Sequence, residues 1–213
     1  MKKKLGVFLI AAVIAVAFMP VTAFAGSNKV KMTAYDQVIK SGKIVYCSSQ
    51  SGIYKVTLKK GKPKKVKTLF RYPNGAKITL MKKNGKYLYF NENRNGTEMW
   101  ALKRVGISGG KMKLYQTTPE GEIFYAIKKK NIYFEVMEAR LSGEEWDDYM
   151  IDYVMPLSGT TKKETSKYPS MKRKKTNAKG YKIIEVQKGN VVKTYLKVPK
   201  AKKKYLGTCV LIQ

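Results

Sequence analysis

Histidine is absent from all 213 residues. That absence removes the Ser-His-Asp triad, the Cys-His pair, the imidazole general base and every histidine metal ligand. Cysteine is scarce: Cys47 and Cys209 cannot complete a tetrahedral zinc shell without histidine, and two residues do not make a disulfide-stapled scaffold. Neither the Gly-rich phosphate loop with its Gly-Lys-Ser/Thr ending nor a dinucleotide fingerprint occurs. Acids are outnumbered, 14 Asp and Glu against 44 Lys and Arg, for a formal charge of +30. Beyond residue 19 no apolar run reaches the ~20 residues that a membrane-crossing helix needs. A helical period of useful length is missing there too, which disfavours an α-helical domain.

What is present begins with a leader. Lys2, Lys3 and Lys4 precede the apolar run Leu5 to Met19, and Ala23-Phe24-Ala25 supplies an A-x-A cleavage site before Gly26. Residues 1–25 are therefore expected to be a secretory signal peptide, leaving 26–213 as one exported domain. The leader carries three lysines and no acid, so the remainder keeps three charges fewer than +30, or +27. No cysteine stands at the cleavage point to take lipid, and the chain is expected to be released outside the cell. Such a location permits a Cys47–Cys209 bridge without requiring it. Val45-Tyr46-Cys47 and Cys209-Val210-Leu211 both read as strand, so two separate buried thiols are the expectation and a bridge the alternative.

Tyr, Val, Ile and Thr are plentiful, and Gly and Asn punctuate short apolar runs, the pattern of an all-β chain. A core recurs: Gly42-Lys43-Ile44-Val45-Tyr46-Cys47, then Gly85-Lys86-Tyr87-Leu88-Tyr89-Phe90, then Lys130-Asn131-Ile132-Tyr133-Phe134. Tyr46, Tyr89 and Tyr133 are spaced by 43 and 44 residues. A weaker fourth copy, Gly180 to Ile184, puts Ile184 in the tyrosine slot. Further strands follow each core, at Gly52–Leu58, Thr97–Leu102, Asp148–Met155 and Val191–Val198. Runs that alternate Lys with apolar residues come last, at Lys65–Phe70, Lys111–Tyr115 and Tyr205–Ile212. That alternation marks half-exposed outer strands, whereas the second strands are apolar on both faces.

Units of this length that cannot bury their faces alone suggest propeller blades. The core followed by Gly52-Ile53-Tyr54-Lys55-Val56 resembles the repeats of bacterial extracellular β-propellers with YWTD-like blades, and the Lys-heavy, Tyr-rich style resembles secreted proteins of Gram-positive bacteria. The resemblance implies a four-bladed or partial β-propeller of antiparallel four-stranded blades, at roughly 34–72, 73–118, 119–170 and 171–213. The Tyr-Trp-Thr-Asp tetrapeptide itself is absent, the third unit carries an insertion and the fourth lacks the aromatic. A β-sandwich is the alternative architecture.

Function is read from charge. Lys59, Lys60, Lys62, Lys64, Lys65 and Lys67 form one basic run, Lys172, Arg173, Lys174 and Lys175 a second, and Lys202, Lys203 and Lys204, after Lys200, a third. Cationic turns gathered on one rim attract an anionic polymer and release its counterions. A cell-wall glycopolymer, an acidic polysaccharide and extracellular DNA are the candidate partners of a non-enzymatic binding module. Solubility alone is the bland account, but a charge of ~2–8 suffices for that. Arg is scarce beside Lys and no nucleic-acid module appears, so sequence-specific recognition is not expected.

One acidic island, Glu138, Glu144, Glu145, Asp147, Asp148 and Asp152, surrounds Trp146 in the third unit. It reads as a solvated hairpin loop or as an internal counterweight pairing with basic loops, and Trp146, outside the repeat, is the candidate exposed contact. Trp100 stands at a repeat position and is expected in the core. The alternative function is an extracellular polysaccharide hydrolase using the loop 144–152, with Asp147, Asp148 and Asp152 as its carboxylates. A structural or assembly role, with exposed first and last blades pairing between chains, is the third. The Asp-x-Asp-x-Asp-Gly calcium loop is missing, and neither a cofactor nor a metal is expected.

Overall fold

The computed structural model describes residues 29–31, 37–94, 97–119, 121–167, 169 and 178–212, so the leader at 1–25 lies outside the described residues. Strands and turns, with no helix, make up the described chain. β1 (Lys29–Lys31) comes first. β2 (Val38–Ser41), β3 (Ile44–Ser49), β4 (Gly52–Lys59) and β5 (Lys62–Arg71) follow as the first sheet. β6 (Ala76–Asn84), β7 (Tyr87–Arg94), β8 (Trp100–Gly106) and β9 (Lys113–Thr118) form the second. β10 (Tyr125–Lys128), β11 (Asn131–Ser142), β12 (Glu145–Pro156) and β13 (Lys163–Glu164) form the third. β14 (Lys182–Lys188), β15 (Val191–Lys197) and β16 (Lys204–Val210) complete the fourth, which takes β1 as its first strand. Each sheet is an antiparallel meander apart from that one long-range strand.

Alternation along the strands explains the burial. β3 and β7 are the second strands, and residues on both of their faces are buried, whereas the lysines of β5 meet water. Three hydrophobic cores result among the described residues. Val45, Cys47 and Val56 of the first sheet pack with Ile183 and Leu196 of the fourth. Tyr46 and Ile53, from the opposite face of the first sheet, pack with Leu88 and Phe90 of the second. Tyr89 and Leu102 then pack with Ile132 and Phe134 of the third. The order of sheets is therefore fourth, first, second, third, with three intersheet cores where a two-layer sandwich has one.

A repeated backbone bond marks the equivalence of the units. An amide at or just past the end of the third strand donates to the carbonyl of the first turn at Leu58 to Lys43 (2.8 Å), Ile107 to Lys86 (3.0 Å) and Leu157 to Lys130 (2.8 Å). Tyr46 and Tyr89 both face the next sheet in the order. In the fourth sheet the residue that does so is Ile183, inside the core, and not Ile184, which alternation turns to the other face. The fourth slot thus sits one residue earlier than the apolar pattern suggests.

Two features of the third sheet also differ from the sequence expectation. The insertion lengthens β11 and β12 to 12 residues each, a paired arm closed by Gly143-Glu144, so most of the acidic island is strand and not loop. Its outer strand β13 has only two residues. Trp100 is half-buried, with Lys77 Nζ 5.1 Å from its ring centre.

Candidate functional site

The β4–β5 hairpin turns at Lys60 and Gly61, both with left-handed backbone (φ 48° and 73°), between the paired residues Lys59 and Lys62. Consecutive positive φ values give a two-residue turn whose twist matches the flanking strands. On the adjacent fourth sheet, the β15–β16 connection turns at Lys200 (φ 56°), and Lys197 Nζ donates to the Ala201 carbonyl at 2.6 Å. Packing of the two sheets brings these connections together. Lys62, Pro63, Lys200, Ala201, Lys202, Lys203 and Lys204 line an open cleft of about 430 Å³.

Pairing turns two lysines of β5 away from the cleft, while Lys62, across from Lys59 at the hairpin end, lines it. Pro63 lies across from Leu58, whose side chain belongs to the core shared with the fourth sheet, so this side of β5 faces the cleft. Lys65 and Lys67 lie across from Thr57 and Lys55, on the other face. Lys59, Lys60 and Lys64 are exposed around the turn. Lys203 Nζ rests 4.3 Å from the centre of the Tyr195 ring, which in turn meets Tyr205 edge-on at 5.7 Å. The described ion pairs engage Arg94, Lys103, Arg140 and Lys162, none of which lines the cleft. Lys172, Arg173, Lys174 and Lys175 lie outside the described residues.

No protein-family model matches this chain, and no curated protein does.

The arm of the third sheet holds the other charged locus. Glu138 accepts from Tyr153 Oη and Lys162 Nζ, both at 2.7 Å, and Arg140 reaches Glu164 at 2.6 Å. Burial pushes the Glu138 carboxyl up, but the hydrogen bonds from Lys162 and Tyr153 outweigh it and hold it below the ordinary carboxylate range. Asp147 and Asp148 are consecutive strand residues and point to opposite faces. Asp148 and Asp152 share a face but stand four residues apart, about 13 Å along a strand. That separation exceeds the ~5–9.5 Å of glycosidase carboxylate pairs. Glu135 and Asp152 are direct cross-strand neighbours, a pair that sequence spacing alone does not bring together. Among the described residues no three Cys, Asp or Glu are grouped to hold a metal ion. Trp146 stands 71 % exposed near the arm tip.

Cys47 and Cys209 are both buried free thiols. Burial raises both thiol pKa values, that of Cys209 to about 11, which keeps them protonated and unreactive at neutral pH.

Proposed function

We propose that this chain is an exported, non-enzymatic module of four propeller-like blades that holds acidic glycopolymers in the cationic cleft between its first and fourth sheets. One observation carries the reading: two basic runs some 140 residues apart in sequence meet in one cleft, among side chains that include no acid. Lysines crowded in this way raise the local potential, and a polyanion that enters releases counterions. The leader motif supports export. The blade reading draws support from the equivalent second strands, the repeated amide-to-carbonyl bond and the resemblance of the Tyr-containing cores. The non-enzymatic reading rests on the missing histidine and on the spread of Asp147, Asp148 and Asp152 over two faces and most of a strand.

Retention on immobilised heparin and on a wall glycopolymer, measured against salt, tests the proposal. Retention is expected to fall steeply between low and moderate ionic strength. Lys62→Glu with Lys203→Glu is expected to lower the eluting salt more than Lys65→Glu with Lys67→Glu, which removes as much charge from outside the cleft. Salt-indifferent retention, or equal loss from the two pairs, overturns the cleft as the site. Tighter binding to single-stranded DNA than to either glycan would reassign the partner.

A further inference from the structure

The three cores join the fourth sheet to the first, the first to the second and the second to the third; among the described residues none joins the third to the fourth. Each of these end sheets therefore keeps one outer face. On β11 and β12, the residues that alternate with the core set include Tyr133, Glu135, Met137, Met150, Asp152 and Val154. The same face continues along the arm through Leu141, Trp146 and Asp148. Met150 is 60 % exposed and Leu141 59 %. On the fourth sheet the corresponding face carries Ile184, Val186, Tyr195 and Tyr205, the last 49 % exposed. Both faces thus combine open apolar area with charge.

The charges are opposite. Along β11 and β12, the two central strands, the outer face bears Glu135, Asp148 and Asp152 and no basic side chain, with Lys128 of β10 and Lys163 of β13 at its two margins. On β14 and β15 it bears Lys182, Lys188, Lys193 and Lys197 and no acid. Each face also sets like charges directly across from one another, Glu135 against Asp152 and Lys182 against Lys197. Such cross-strand pairs are unfavourable until a countercharge arrives. Asp152 Oδ1 is shielded from solvent and has no hydrogen-bond partner. The faces are also of the right kinds: the third sheet offers the side that Tyr46 and Tyr89 use to meet the next sheet, and the fourth offers the side that Val45 and Leu88 use to meet the previous one.

We infer that these faces dock on each other between two copies of the chain, head to tail, the acidic outer face of one third sheet covering the basic outer face of the other copy's fourth sheet. Among the described residues no other sheet covers either face, and the sheet that covers them in this inference comes from another molecule. The arm strands are about 40 Å long where the seven-residue strands are about 24 Å, and this overhang carries Leu141 and Trp146 towards a neighbour. Different surfaces meet in such a contact, so it closes into a ring of two copies or propagates as a filament, according to the rotation between them.

Sedimentation of the purified protein tests this. At low salt the mass is expected to rise with concentration from one copy to two or more. Asp148→Lys with Asp152→Lys gives a chain with two basic faces. Lys182→Glu with Lys193→Glu and Lys197→Glu leaves Lys188 as the one lysine on that face of β14 and β15 and gives a chain with two acidic faces. Each is expected to stay monomeric alone, and the equimolar mixture to associate. Trp146→Ala, at an exposed position that leaves folding intact, is expected to weaken self-association about tenfold or more. A wild-type mass of one copy at every concentration, as closure of the third sheet on the fourth within one chain would give, overturns the inference. A mixture that fails to associate, or a Trp146→Ala chain that associates as wild type, does the same.

Discussion

Glu92 shows how one buried acid is kept charged. Its side chain is almost fully buried, and it accepts from Tyr72 Oη at 2.5 Å, Lys103 Nζ at 2.6 Å and Arg94 Nε at 2.7 Å. Burial pushes the carboxyl up, yet the bonds from Lys103, Tyr72 and Arg94 together leave it below its ordinary value. A depressed folded-state pKa means that the stabilisation is complete above the unfolded value of ~4.3 and is lost as pH falls through the folded one. Acid titration followed by circular dichroism is expected to show that loss, and Glu92→Gln to remove it. The same change leaves the half-buried Lys103 without its counterion and is expected to cost about 3 kcal/mol at pH 7 in urea unfolding. Glu185 has the opposite sign: desolvation raises its pKa despite hydrogen bonds from the Gln50 amide and side chain, so its contribution declines as pH rises. A steric test lies close by. A Cβ on Gly207 would stand 2.1 Å from Tyr54 Oη, which is held by Ser51 at 2.8 Å. Gly207→Ala is expected to lower the urea midpoint by the equivalent of ~1–3 kcal/mol.

Hairpins and strands differ in how visibly they are written. The second strands are legible because sheets on both sides make them apolar on both faces, as at Val45-Tyr46-Cys47 and Leu88-Tyr89-Phe90. First strands are hidden: β2 and β10 have four residues each, and β6 is interrupted by a bulge at Leu80, whose φ of 48° no apolar pattern announces. The arm was disguised by its acids, which sit on paired strands and look like loop composition. At the β4–β5 turn, Lys60 occupies a left-handed position that asparagine tolerates better. Lys60→Asn is expected to raise stability by about 1 kcal/mol in urea unfolding while removing one charge beside the cleft. The two effects separate, since polymer retention falls as the unfolding midpoint rises.

Over the whole molecule the charge of +30 acts twice, with opposite signs. Self-repulsion destabilises the compact state, and attraction to polyanions depends on the same field. Raising ionic strength from about 0.01 to 0.15 M shortens the screening length from ~30 to ~8 Å. The thermal midpoint is expected to rise over that range in a melt followed by circular dichroism, while retention on heparin falls. The order of the sheets has its own consequence. β14 gains a partner from the far end of the chain in β1, so loss of residues 29–31 exposes the edge of β14.

The sequence by itself determined the all-β class, the recurring apolar strand that anchors each sheet, and the sign of the charge, because alternation and composition are local properties that survive in a list of residues. Only the tertiary structure decided that Lys62 meets Lys202, Lys203 and Lys204 while Lys65 and Lys67 turn away, that Ile183 takes the fourth inward slot, and that Glu135 faces Asp152. These outcomes depend on strand register and on which sheets pack together. A shift of one residue in register reverses every side chain, and no linear pattern in this chain fixes that choice.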